Sequence, residues 1–253
     1  KIVSCYSKSK KKRIAFSKKY KTNYHDSYKA ILKDPKIDAV ILTTPHSLHA
    51  KHAIQALRNR KHVFVEKPMA TKYLDAKKMY LTAKKYKKIL SVGHNRRYLS
   101  VCDFINNLNR QKKIGKILHM DANFSAPGAL RYKKNYWRAN RKEAPGGAVA
   151  AMGIHMIDLM CYFGGKVKSV QSLVKKYAVK VNMDDTTSAL FELKNCTGNL
   201  TTIFVCPYTT TFNIFATNMN IFSDVDKNKI KIVNKNGKIQ KLNLINKDTL
   251  FLE

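Results

Sequence analysis

The chain has 253 residues, 44% of them hydrophobic, which is enough to bury a sizeable core and excludes a disordered or fibrous polypeptide. Forty-nine Lys and Arg against 16 Asp and Glu leave a formal charge of +33, with only nine of the 49 being Arg. A dedicated polyanion site would concentrate this charge, but the lysines run through every segment beside frequent Asn, Ile, Tyr and Phe, the skew of AT-rich coding; neither a specific nucleic acid nor a membrane is expected as a partner.

Five cysteines, at 5, 102, 161, 196 and 206, form no C-x-x-C pair and make an odd number. No zinc ribbon, other metal site or closed disulfide framework is expected, and a reducing, cytoplasmic setting fits best. No apolar run reaches the roughly 18 to 20 residues that span a bilayer. The chain opens at Lys1, not Met, and enters at once the strand-like Ile2 to Tyr6, as a fragment would.

Through residue 93 strand and helix signals alternate, which predicts a parallel sheet with crossover helices. Residues 2–6 read as a strand and Ser9 to Tyr20 as a basic helix. Residues 37–44 form a nearly continuous apolar run, expected to be buried on both faces. After Pro45, Ser47 is placed to cap a helix carrying Ala50, Ala53, Ile54 and Leu57. Residues 62–65 are the next strand. Thr71 is placed to cap a helix with Ala76, Met79, Tyr80 and Ala83 on one face, and residues 89–93 close the series.

After Gly93 the pattern changes to a helix near 99–110, a strand near 114–124, a loop over 125–147 and a helix over about 148–163. From Val167 strands dominate. Thr187, Ala189, Phe191 and Leu193 alternate with Ser188, Leu190 and Glu192, while Asn236-Gly237 separates Ile230 and Ile232 from Leu242 and Leu244 as a hairpin turn. The fold class is α/β followed by α+β, the second part a predominantly antiparallel sheet with one open face.

Two strings carry chemistry. Thr44-Pro45-His46 and, one helix later, Glu66-Lys67-Pro68 lie at the carboxyl ends of adjacent predicted parallel strands, where open α/β sheets bind ligands. A partly desolvated Lys67 ammonium there can exchange a proton with a substrate hydroxyl; a solvated loop charge is the plainer alternative. In the second string, Gly146-Gly147 opens a helix on which His155 and Asp158 share a face with Ala151 and Tyr162, opposite Val149, Met152, Met156, Leu159 and Phe163. A lone helix histidine is commonly a structural hydrogen-bonding group.

Thr44-Pro45-His46-x-x-His49, a helix, His62-Val63-x-x-Glu66-Lys67-Pro68, and later Gly146-Gly147 with Gly153-x-His155-x-x-Asp158 together resemble the glucose-fructose oxidoreductase, inositol dehydrogenase and rhizopine-catabolism (Gfo/Idh/MocA) oxidoreductase family over nearly the whole chain. The resemblance implies a partial NAD(P)-binding Rossmann domain over 1–95 and a substrate-binding and oligomerisation domain over 96–253. It implies hydride transfer between NADP or NAD and a hydroxyl or keto group of a sugar, polyol or related metabolite, in a homodimer or homotetramer. Lys67 would be the acid/base and His155 would contact the substrate hydroxyl. Glu66 would bond the nicotinamide ribose, and Thr44, Pro45 and His46 would line the cofactor with His49 nearby. Asn95 lies in the stretch His94 to Tyr98 that passes the nicotinamide, Arg97 and Asp158 would face substrate, and Trp137-Arg138 would reach across to the cofactor. Ser7 and Lys8, where NAD-selective sites end the second strand with an acid, favour the 2′-phosphate of NADP.

Two departures bear on these expectations. Ala151 stands where many members have an Asp, which leaves open a substrate subclass or a dinucleotide-binding sensor without turnover; a basic polyanion-binding protein is a third reading. No G-x-G-x-x-G precedes Ile2. If that first βα unit is missing, the sheet should break between residues 2–6 and 37–44, and the chain alone should be essentially inactive.

Overall fold

The basic helix expected over Ser9 to Tyr20 forms over Lys10–Tyr20, and Ser9 caps it, its hydroxyl accepting the Lys12 amide at 3.4 Å. In the computed structural model, which describes residues 1–245, the chain divides into two units, Lys1–Gly93 and the part from His94 onward. The first unit runs β1 (Ser4–Cys5), α1 (Lys10–Tyr20), β2 (Asn23–Tyr24), α2 (Tyr28–Lys33), β3 (Ala39–Leu42), α3 (His46–Arg58), β4 (His62–Val65), α4 (Tyr73–Lys85) and β5 (Leu90–Val92). β1 pairs with β2 in parallel, and β3, β4 and β5 form a separate three-stranded parallel sheet. The break falls between residues 2–6 and 37–44, at the place expected.

α3 and α4 pack through Ala53, Ala56, Leu57, Met79 and Ala83 against Val40, Leu42, Val63 and Val65. They cover one face only. β3 therefore alternates instead of being buried on both sides, and Ile41 is 72% exposed. Tyr80 also turns outward, because Met79 and Ala83 already fill the contact with α3. The two helices start from other cap positions than Ser47 and Thr71. The chain enters α3 from extended Pro45, so that Ser47 lies inside the helix, and enters α4 from extended Lys72, one residue beyond Thr71.

In the second unit a 3₁₀ turn (Asn95–Tyr98) leads into α5 (Ser100–Arg110), then β6 (Ile117–Ser125), a π turn (Val149–Gly153), α6 (Ile154–Gly164), and β7 (Val167–Lys175), β8 (Thr186–Leu193), β9 (Thr197–Ile203), β10 (Thr209–Ala216), β11 (Met219–Asp224), β12 (Lys229–Asn234) and β13 (Ile239–Asn243). The eight strands lie in the order β13-β12-β11-β10-β6-β9-β8-β7. Every pairing is antiparallel except β6 with β9. The alternation in β8 is observed directly, with Thr187, Ala189, Phe191 and Leu193 inward and Ser188, Leu190 and Glu192 outward. Met156, Leu159 and Met160 of α6 belong to the same core as Met120, Leu200 and Phe212 of the inner face. The outer face is open, and β7 is exposed along its whole length. Gly237 closes the β12–β13 hairpin at φ +77°, where a side chain would be strained.

Candidate active site

In the first unit the residues with expected roles gather at the carboxyl ends of β3 and β4. Thr44 follows β3, and its Oγ1 is buried without a hydrogen-bond partner. Pro45 and His46 begin α3, the imidazole of His46 being buried. Glu66 and Lys67 follow β4. The Glu66 carboxylate accepts the Lys67 amide at 3.2 Å, the Lys67–Pro68 peptide is cis, and a Cβ on Gly93 would stand 3.4 Å from Glu66 Oε1.

His49 is fully buried, with Nδ1 2.8 Å from the Pro68 carbonyl and Nε2 2.8 Å from the Thr44 carbonyl. The ring therefore ties the two loops together from behind. Ser7 and Lys8 lie between β1 and α1. Ser7 Oγ accepts the Ser9 amide, its carbonyl accepts Arg13 Nη1 at 3.2 Å, and Lys8 is exposed.

In the second unit the geometry centres on His155. Gly146 and Gly147, at φ +67° and +52°, turn the chain into the π turn ahead of α6. A Cβ on Gly147 would fall 1.6 Å from the Asp184 carbonyl oxygen, so only glycine fits. His155 is buried beside Phe124 and makes an edge contact with His94, ring centres 6.1 and 6.3 Å away. Asp158 takes two hydrogen bonds from Arg97 and lies 3.9 Å from His94 Nδ1. The Asp158 carboxylate raises Arg97 above the usual guanidinium range, against the effect of burial.

Arg96, the neighbouring arginine, turns elsewhere. It stacks 4.2 Å over the Phe124 ring and holds Asp226 through two bonds of 2.6 and 3.2 Å, while the Tyr208 hydroxyl also donates to Asp226. Burial tends to raise the Asp226 carboxyl, but Arg96 and Tyr208 outweigh it and hold the group below the ordinary carboxylate range.

Asn95 is exposed on the 3₁₀ turn. Trp137 and Arg138 stand together, the guanidinium 4.6 Å over the indole, in a loop fixed by Arg141 gripping Asp184 at 2.7 and 3.2 Å. Phe124, Tyr208, Asp226, Arg141 and Asp184 carry no local sequence signal; only the adjacent arginines of Arg96-Arg97 mark a place where two acids could be held.

The chain thus joins a parallel α/β unit to an open, mostly antiparallel sheet with a histidine helix on its inner face. Residues 1–94 match the model of the oxidoreductase family with an NAD-binding Rossmann fold, and residues 105–222 match the GFO/IDH/MocA C-terminal domain; the chain belongs to the Gfo/Idh/MocA family. It is 35% identical over 175 residues to glucose-6-phosphate 3-dehydrogenase of Bacillus subtilis, covering 64% of this chain and 50% of that protein. It is 27% identical over 156 residues to levoglucosan dehydrogenase of Pseudarthrobacter phenanthrenivorans, covering 61% and 40%. The solved structure of a levoglucosan dehydrogenase with NADH and levoglucosan superposes with a TM-score of 0.88 at 20% identity, over 96% of this chain and 70% of that one, a likeness of fold. The chain spans about half the length of the curated relatives it matches.

The residues present fit the nicotinamide end of a dinucleotide. Thr44 offers a buried hydroxyl with no hydrogen-bond partner among the described residues, and Glu66 a carboxylate whose oxygen lies against the side-chain-free surface of Gly93. Among the described residues no His, Cys, Asp and Glu cluster suits a metal ion, and no helix is long and apolar enough to cross a membrane.

Proposed function

We propose that the protein is an NAD(P)-dependent oxidoreductase that interconverts a hydroxyl and a keto group on a sugar, polyol or related metabolite, in the cytoplasm. The carrying observation is the placement of Thr44, Pro45, Glu66 and Lys67 at the carboxyl ends of two adjacent parallel strands. The bound nicotinamide supplies or accepts the hydride. Lys67 takes the proton from the substrate hydroxyl in oxidation and returns it to the developing alkoxide in reduction. In the second unit, the family likeness gives His155 contact with the substrate hydroxyl and has Arg97 and Asp158 face substrate. Glu66 accepts a ribose hydroxyl, and Thr44, Pro45 and His46 line the nicotinamide end. The same likeness gives cofactor-side roles to Asn95 and the Trp137-Arg138 pair. Ser7 and Lys8 would meet the 2′-phosphate of NADP. Five unpaired thiols support the cytoplasmic setting.

A homodimer or homotetramer through the open sheet face is part of the same reading. Leu190, Asn199, Asp121, Asn213 and Phe222 make one row across that face, two apolar side chains and two amides around one carboxylate. Leu190→Lys should dissociate the assembly in sedimentation velocity.

The test of function is kinetic and uses the whole protein with a sugar and polyol panel. Lys67→Ala should lower kcat by roughly a hundredfold or more and leave dinucleotide affinity nearly intact. A near-normal kcat would end the assignment of Lys67. Dinucleotide binding without turnover on any substrate would favour the sensor reading that Ala151 raises, and steep salt-dependent DNA binding would favour a polyanion partner.

A further inference from the structure

We propose that Asp226 is a positioning residue for His155, acting through Arg96 and the ring of Phe124. Asp226 lies in the turn between β11 and β12, far from α6 in sequence, and its carboxylate spans both Nη atoms of Arg96 at 2.6 and 3.2 Å. A bidentate pair fixes the plane of a guanidinium as well as its position. That plane stacks on Phe124, ring centroid 4.2 Å away, and the Phe124 ring lies beside His155. Tyr208 reinforces both links. Its hydroxyl donates to Asp226 and its ring meets Phe124 edge-on, centroids 6.1 Å apart.

A second ring beside His155 belongs to His94, which Asp158 approaches from α6 while taking two bonds from Arg97. Arg96 and Arg97 thus diverge to separate carboxylates, and each pair lies against a ring that flanks His155. The Arg96 side chain is 12% exposed and that of Asp226 26%, so water screens this pair little compared with an ordinary surface pair. A purely structural staple could join the same elements without placing an aromatic ring between the ion pair and the histidine.

The inference rests on the reading of His155 as the residue that orients the substrate oxygen, and its first measurement is independent of that reading. In the full chain, Asp226→Asn keeps the size of the side chain, removes its charge and leaves a single acceptor. The Cε1–H signal of His155 should move beyond its own line width, and Asp226→Glu should bring it part of the way back. Asp224→Asn, in the preceding residues and paired to Lys227, should leave the signal in place. Melting temperatures and methyl spectra of β8 and β9 check that each variant is folded; if Asp226→Asn does not fold, Tyr208→Phe, which removes one hydroxyl, takes its place and should move the same signal less. A His155 signal unmoved in the folded variant overturns the proposal. In turnover, Asp226→Asn should lower kcat about tenfold with the KM for dinucleotide unchanged. A displaced signal with normal kcat leaves the positioning intact and removes His155 from the chemistry.

Discussion

Arg97 grips Asp158 through two short hydrogen bonds, Nε to Oδ2 at 2.7 Å and Nη2 to Oδ1 at 2.6 Å, on the face of α6 that also carries His155. The Asp158 side chain is 10% exposed and that of Arg97 39%, so the pair is half in water. Asp158→Asn should therefore cost only about 1 kcal/mol in urea denaturation, while weakening the apparent affinity for substrate. A loss above about 3 kcal/mol would mean that the pair behaves as a buried one.

Gly147 and Gly237 both have positive φ, at +52° and +77°, yet their surroundings differ completely. A methyl on Gly147 collides with the Asp184 carbonyl, whereas nothing lies within 4 Å of one on Gly237. Gly237→Ala should cost about 1 kcal/mol from backbone strain alone. Gly147→Ala should cost more than about 3 kcal/mol or prevent folding. Similar melting temperatures for the two variants would contradict this account.

Asp185 is fully buried and accepts the amides of Tyr177, Ala178 and Val179 together with the Thr186 hydroxyl. Burial works to raise its carboxyl, and the donated bonds prevail and lower it. A carboxyl depressed on folding contributes stability above its unfolded value of about 3.9, and that contribution disappears as pH falls through the folded value. Asp185→Asn should be clearly less stable than the parent chain at pH 7, with the gap closing below about pH 4. A gap independent of pH would show that the charge plays no part.

Lys8 is exposed in the bend between β1 and α1. If it meets the 2′-phosphate of NADP, Lys8→Asp should shift the NADP to NAD preference toward NAD by about tenfold or more, with kcat on NAD unaffected. Unchanged discrimination would assign Lys8 to the chain-wide excess of lysine.

What could be read from the chain depended on the range of the forces involved. The basic helix after Ser9, the period-two burial of β8 and the Asn236-Gly237 hairpin are decided within a few residues, and each is legible. The two loops at the ends of β3 and β4 were legible for the same reason, since a motif and a strand end coincide. Whether β3 would be covered on one face or two was not, because Ile41 and Val40 are equally apolar and only the helices decide between them. Arg96 and Asp226 lie 130 residues apart, and the amides that hold Asp185 belong to a loop whose path follows from the sheet. No periodicity encodes such partners.

β6 sits at the centre of its sheet, yet both neighbours come late. It lies beside β9 in parallel and β10 in antiparallel, and Thr202 Oγ1 reaches the Phe124 carbonyl across 78 residues of chain. During synthesis β6 leaves the ribosome long before either partner, whereas β3, β4 and β5 find theirs within one helix of being made. The first unit can thus assemble while the second still holds an unpaired apolar strand. Its closure needs contacts distant in sequence, so pairing in the second unit is expected to be slower than pairing among β3, β4 and β5.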